Sequence, residues 1–293
     1  MPTFAVVSYR EKAVRAGAFG LLVIGALSAG ACVIDLHDSG PQQDDPAAFS
    51  WNAPISAPAT VFIRNTNGSV EVRPATDGNV RMTADVKWRR GDPKRDLEFE
   101  TKNGADGVTI CALWGGGQCS ATHYKSTADG VTKNLLNHGT DANVTFTVYV
   151  PTGVKVDAFT VNGSIGVAAT APVKAQTING SIKVATSVGP VDGETVNGSV
   201  DVRMTTLSGD GPVRAHAITG SVAAYLPEKF DGAVDISSAI GGVTSDFPGT
   251  STKDGEKKFT AVLGTGSRTI DIVTVTGSAA LHKLKADGTV ATP

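Results

Sequence analysis

The phrases FTVNGSIGV (159–167), QTINGSIKV (176–184) and ETVNGSVDV (194–202) write one nine-residue pattern three times. Its centre, Val/Ile-Asn-Gly-Ser-Val/Ile, starts at Val161, Ile178 and Val196, and weaker forms start at Ile218, Ala239 and Val275. The steps between these starts are 17, 18, 22, 21 and 36 residues. A second phrase falls between the first units, at Pro172-Val173, Pro190-Val191 and Pro212-Val213. Each unit therefore holds two short strands, one after the proline and one after the Asn-Gly-Ser. A unit this small cannot bury a core alone, but stacked units can, which is the logic of a β-solenoid.

Asn-Gly between alternating residues could instead close a tight hairpin, giving an antiparallel meander. The flanking residues do not form a symmetric strand pair, and recurrence of one side chain at one place is what in-register stacking requires. In a stack, asparagine amides can bond along a ladder, and glycine takes the positive φ of the corner. The expected corner residues are Asn67, Gly68, Asn162, Gly163, Asn179, Gly180, Asn197, Gly198 and Gly220. One detail resists a simple stack. Val173, Ala175 and Thr177 share a face by period 2, so Ile178 falls on the other; either the bend flips the register or both faces are covered.

The chain is 41% hydrophobic with 34 glycines, but only 6% aromatic, which predicts thin layers of Val, Ile and Ala. A net charge of -2 gives no sign of a nucleic-acid footprint. Residues 1–32 read as an export segment: Arg10, Lys12 and Arg15 precede the uncharged run from Ala16 to Ala31, and Cys32 follows. LSAGAC resembles a bacterial lipoprotein box, with Ala29 where the box usually carries leucine. Cys32 is thus the expected lipidation site; plain cleavage after Ala31 and an uncleaved anchor are the alternatives, and all three place the remainder outside the cytoplasm. Residues 33–58, rich in Asp, Pro, Gln and Ala, read as a flexible tether. The expected domain is all-β and runs over 59–285, with N-terminal strands and a Cys-bearing loop over 59–150, repeats over 151–285 and a tail over 286–293. A short helix is expected at TKNLLN (132–137). In an oxidising compartment Cys111 and Cys119 are expected to form a disulfide.

VTFTVYVPTGVKVDAFTVNGSIGV, the repeated TxNGSIxV and the closing LGTGSRTIDIVTVTGSAAL together resemble the DUF4097 family, whose members are often labelled candidate adhesins. VFIRNTNGSVEV fits that family's opening strand, so the resemblance spans about residues 60 to 282. It implies a right-handed, β-solenoid-like fold on bacterial envelope proteins and no agreed activity. The segment from Leu97 to Asn143 and the irregular last units depart from the pattern.

Catalytic signals are sparse. There is no Gly-x-Ser-x-Gly elbow and no His-Glu-x-x-His, and the histidines (His37, His123, His138, His216, His282) are scattered. His216 occupies the place of Gln176 and Glu194 and reads as a solvated rung. Gly166, Lys183, Asp201 and Ala223 form a column that changes character at each step. GTGSR (264–268) lacks the Lys-Ser/Thr of a phosphate loop and reads as a turn. Asn67, Asn143, Asn162, Asn179 and Asn197 head sequons, but four of them sit at the repeat corner, where a structural role fits better. Trp114, beside three glycines in the Cys111–Cys119 loop, could stack on a sugar ring or could cover an open end of the solenoid. The expectation is a non-enzymatic envelope protein, an adhesin or binding scaffold, with no cofactor and no metal and with an envelope protein or a glycan as partner. The alternatives are an envelope-stress or regulatory accessory and, less favoured, a carbohydrate-active β-helix enzyme.

Overall fold

The computed structural model describes residues 43–115, 117–125, 140–252, 257–285 and 289–290. The expected export segment with Cys32, together with His37, His138 and the expected helix at 132–137, lies outside them. Among the described residues strands dominate, with one four-residue helix at Pro93–Asp96. They build an eleven-stranded sheet, here the front sheet, and a ten-stranded back sheet. Each repeat crosses from front to back at its Asn-Gly-Ser. Lys155–Asn162, Val173–Asn179, Val191–Asn197 and Val213–Thr219 lie in the front sheet; Ile165–Ala168, Ile182–Ala185, Val200–Arg203 and Val222–Pro227 follow in the back sheet.

Every neighbouring pair among these strands is parallel and in register, as in Val173↔Val191 and Val184↔Val202. The chain is therefore a two-sheet solenoid and not a hairpin meander. Alternate side chains point inward, so Val167, Val184 and Val202 form one buried column. In the front sheet the column Ala158, Ala175, Gly193 and Ala215 is small, and it faces Ile182 and Val200 of the back sheet. A Cβ added at Gly193 would stand 3.0 Å from Val200 Cγ1, so the back-sheet aliphatics already fill the space that small residues leave. This interdigitation explains a core built with few aromatics.

The corners carry three backbone-linked ladders. The Asn179 amide donates to Asn162 Oδ1 and the Asn197 amide to Asn179 Oδ1, both at 2.9 Å. The N–H of each corner glycine donates to the Asn-position carbonyl of the next coil, Gly163 to Asn179 and Gly180 to Asn197, at 2.9 Å. The carbonyl of each corner glycine accepts from a buried hydroxyl in the next coil: Thr160 to Gly68, Thr177 to Gly163, Thr195 to Gly180 and Thr274 to Gly220. The threonine two residues before the asparagine is thus as much part of the corner as the asparagine itself. The Ile178 question resolves here: Thr177 is buried and Ile178 points out, 39% exposed, so the register flips after it and Ile182 points in.

One coil breaks the hydroxyl ladder. Ala217 stands in register between Thr195 and Thr274 and leaves the Gly198 carbonyl without this donor. Ala217→Thr should restore it and raise stability by about 1 kcal/mol, read as a higher denaturant midpoint at unchanged slope.

Glycine at the corner is required by contact more than by conformation. Gly198 and Gly220 have φ of 154° and 139°, but the φ of Gly163 lies outside the left-handed region. A Cβ on Gly163 or Gly180 would nevertheless lie 2.1 or 2.0 Å from the carbonyl oxygen of the corner glycine beneath. The expectation of positive φ at all three Asn-Gly corners is corrected accordingly.

Both ends depart from the parallel stack. The coil Thr60–Arg64 and Val70–Pro74 sits on Lys155–Asn162 and Ile165–Ala168, with Asn67 bridged to Asn162. Gly107–Trp114 and Asn143–Val150 add one more coil in parallel. Antiparallel strands then close the end: Leu97–Gly104 on the front sheet, Asn79–Trp88 and Gln43–Pro54 on the back. The flexible tether expected over 33–58 is therefore corrected for 43–54, which form an edge strand. Alternation in AAFSW lets Phe49 and Trp51 pack against the core, and Phe49 stacks on Phe99 at 4.9 Å. At the other end Thr269–Thr276 inserts between Val213–Thr219 and Gly232–Ile240, so the last two coils stack out of sequence order. Lys257–Leu263 and Thr250–Thr252 cap that edge antiparallel. Antiparallel strands cover the parallel coils in both sheets at one end and in the front sheet at the other, where the back sheet ends on Val243–Ser245, paired in parallel with Ala279–Leu284.

Candidate binding groove and front face

The segment ICALW is apolar on both faces because both faces are covered. Val108, Ile110, Ala112 and Trp114 point into the main core, while Cys111 and Leu113 point out beneath Cys119 and Tyr124. Cys111 and Cys119 are joined as a disulfide, with Cα atoms 6.2 Å apart. Trp114 is only 6% exposed and packs in the core at the end of the stack. It cannot offer its face to a ligand, and the ligand-contact expectation for Trp114 is corrected on that ground.

The disulfide-braced loop instead sets Tyr124 over the front sheet. The Tyr124 hydroxyl donates to Ala112 O at 2.6 Å and bonds Thr66 Oγ1 at 2.7 Å. Its ring meets Phe159 edge-on, with centroids 6.0 Å apart. Arg64 fixes the other side. Its Nη1 donates to Asp157 Oδ1 at 2.9 Å, its Nη2 donates to Ala121 O in the loop, and the guanidinium lies 5.5 Å over the Phe62 ring. Between loop and sheet lies a groove of about 370 Å³, with Lys174 and Gln176 on its floor. Aromatic edges beside fixed charged and amide groups suit a ligand with apolar faces and many hydroxyls. Phe62 and Phe159 were not singled out in the sequence; their outward place in alternating strands is the signal that marks them. The contribution of Tyr124 carries no such signal, since it depends on where the loop folds back.

Beyond the groove the front sheet presents in-register columns of outward side chains. One runs Asp157, Lys174, Asp192, Arg214, Asp271 and Asp235. The next runs Phe159, Gln176, Glu194, His216 and Val273, which keeps His216 on the expected rung. His216 Nε2 pairs with Asp271 Oδ2 at 3.0 Å, and this bond, opposed by burial and aided by the nearby carboxylates, raises the imidazole above its ordinary pKa. Asp192 is pushed up by burial and then by Glu194, against the pull of Lys174 and Arg214; its Oδ1 has no hydrogen-bond partner among the described residues. Asn162, Asn179 and Asn197 line the corner, bonded to one another.

The remaining motifs resolve as structure. In GTGSR, Asp231 accepts from Thr265 Oγ1 at 2.6 Å and from Ser267 N at 2.9 Å, which holds its carboxyl at about 2. The chain's own carboxylate thus occupies these donors, and the segment is a turn. Gly166, Lys183, Asp201 and Ala223 do stack in one column, on the back sheet. His282 pairs with Asp246 at 3.3 Å. Among the described residues no group of His, Cys, Asp and Glu could hold a metal ion, and no helix is long and apolar enough to cross a membrane.

No curated protein matches this chain. Among solved structures, a candidate cell adhesion protein from Clostridium sporogenes ATCC 15579 is similar over 81% of this chain and 99% of its own, at 12% identity and a TM-score of 0.42. A candidate adhesin from Bacteroides fragilis NCTC 9343 is similar over 80% and 95%, at 10% identity and a TM-score of 0.29. The family model described as Toastrack DUF4097 matches residues 129–281, just over half of the chain, and with the stacked Asn-Gly-Ser corners in place the chain belongs to the DUF4097 (Toastrack) family.

Proposed function

We propose that this chain is a non-enzymatic binding scaffold of the bacterial cell envelope, adhesin-like in role, and that its groove beside the disulfide loop takes a glycan. The observation that carries this reading is the groove itself: Tyr124, Phe159 and Phe62 set rings around a floor of Lys174 and Gln176, and Arg64 with Asp157 holds the loop in place. A site built on a rigid sheet and a covalently braced loop loses little conformational freedom on binding. The export segment at 1–32 supports placement outside the cytoplasm, and acylation of Cys32 would tether the scaffold to a membrane.

The test is binding of the full chain to a glycan array and to isolated peptidoglycan. Phe159→Ala and Gln176→Ala should each weaken the best glycan at least tenfold, whereas Tyr225→Ala, on the back sheet, should leave it unchanged. Equal binding by Phe159→Ala and the parent chain would overturn the assignment of the groove. Absence of any glycan binding, with a single envelope protein recovered by crosslinking, would replace the adhesin-like reading by that of an accessory holding another component.

A further inference from the structure

We propose that the outward face of the front sheet is a self-association surface, which pairs with a second copy of the chain about a two-fold axis running along the strands. Three observations point to a second copy as the occupant. The first is an exposed apolar column beside the corner: Val161, Ile178, Val196, Ile218, Val275 and Ala239 follow one another along the stack, with Ile178 39%, Ile218 51% and Val275 46% exposed. A solvated sheet face ordinarily carries polar residues there.

The second is the charge order of the parallel column. From one end it reads Asp157, Lys174, Asp192, Arg214, Asp271, Asp235. Among the described residues neither Lys174 nor Arg214 makes a salt bridge, although each has opposite charges beside it in register, and Asp192 keeps an oxygen without a hydrogen-bond partner. Three carboxylates of the column are already paired within the chain, Asp157 with Arg64 at 2.9 Å, Asp235 with Lys258 at 2.6 Å and Asp271 with His216 at 3.0 Å, which leaves Lys174, Arg214 and Asp192 as the groups without an ion-pair partner here.

The third is that this order is complementary to its own reverse. A two-fold axis along the strands turns the stack end for end and keeps each column facing its own kind. Placed between the strands of Asp192 and Arg214, it sets Asp192 against the second copy's Arg214 and Lys174 against the second copy's Asp271, each twice. Asp157, held with Arg64 beneath the disulfide loop, stays out of the contact. In the middle column Glu194 meets the second copy's His216, and the apolar columns meet each other. Sliding one copy by a single strand instead sets Lys174 against Arg214 and Asp192 against itself. Charge thus selects one register, and the apolar column supplies the buried surface. With the strand of Asp157 and Phe159 covered by the disulfide loop, four strands at ~4.8 Å spacing with three outward residues each pair across the axis, a patch of roughly 400 Å². A pair would bury about 800 Å², the size of a weak, reversible association.

The test uses full-length chains carrying two different tags, co-expressed and captured through one tag. Lys174→Asp in both copies should reduce co-capture at least tenfold, because it faces Asp271 twice with like charge. Asp271→Lys in both copies should do the same through Lys174. One Lys174→Asp copy with one Asp271→Lys copy should recover co-capture to the parent level, since both contacts are again opposite in sign. Equal co-capture in all combinations, or none with the parent chain, would overturn the proposal. In case the charge variants fold poorly, Val196→Cys and Ile218→Cys copies with native charges supply a second reading: they should form a disulfide-linked pair on oxidation in intact cells. Failure of that pair to form would also overturn the proposal. Lys174 and Gln176 also floor the groove, so a glycan and a second copy compete for them, and both tests are run without glycan.

Discussion

Gly180→Ala should lower the unfolding free energy by about 3 kcal/mol, although it adds one methyl group at a surface corner. The added Cβ would lie 2.0 Å from Gly163 O and 3.0 Å from Ser164 N. Both are backbone atoms, and Gly163 O also accepts the Thr177 hydroxyl, so neither can move without breaking a ladder. Relief by shifting Gly180 itself would break its N–H bond to Asn197 O. Gly163→Ala decides the physical cause. Its φ lies outside the left-handed region, so a conformational account makes it tolerant, but its Cβ would stand 2.1 Å from Gly68 O. A close-approach account makes it as damaging as Gly180→Ala. Gly78 is the control, because nothing lies within 4 Å of a Cβ there; Gly78→Ala should change stability by no more than about 0.5 kcal/mol. Denaturant midpoints at constant slope measure all three. Matching midpoints for Gly180→Ala and Gly78→Ala would refute the contact account.

The parallel stack was legible because the same side chains recur at the same step, and only in-register pairing gives each Asn an identical neighbour. The order of the last coils was not legible. ITGSV and VTGSA are equally good corners, and nothing in either says that Thr269–Thr276 inserts ahead of Gly232–Ile240. The strand Gln43–Pro54 was hidden by composition: Asp, Pro and Gln argue for a tether, while its burial rests on Phe49 and Trp51 meeting partners tens of residues away. Trp114 illustrates the same limit. Its neighbouring glycines suggest an exposed tip, but the parity of its strand with Val108, Ile110 and Ala112 places it inside. For the groove, the sheet half left a signal in the alternation that turns Phe62 and Phe159 outward, although neither was singled out, whereas the loop half depends on how residues 117–125 return over the sheet.

Phe146→Ala tests whether the antiparallel end belongs to the cooperative core. Phe146 is fully buried in Asn143–Val150, the strand where the parallel coils meet the antiparallel cap. Phe99 packs edge-on against it at 6.0 Å, and Phe49 stacks on Phe99, so one side chain joins strands from both sheets. Truncation removes the apolar contact and leaves a cavity that fixed backbones on both sides cannot close, so the loss should be about 3–5 kcal/mol. Because the cap shields the last open rungs, the damage should spread: amide exchange should quicken across 43–54 and 97–104 before the central coils are affected. The sheet's outward side supplies the contrast. Phe62→Ala removes a ring from the partly exposed face and should cost under about 1.5 kcal/mol. If Phe146→Ala were as mild as Phe62→Ala, with exchange in 43–54 unchanged, the cap would be an ornament on the solenoid. A large loss with coupled exchange would make it a cooperative part of the core that shields the outermost parallel coil.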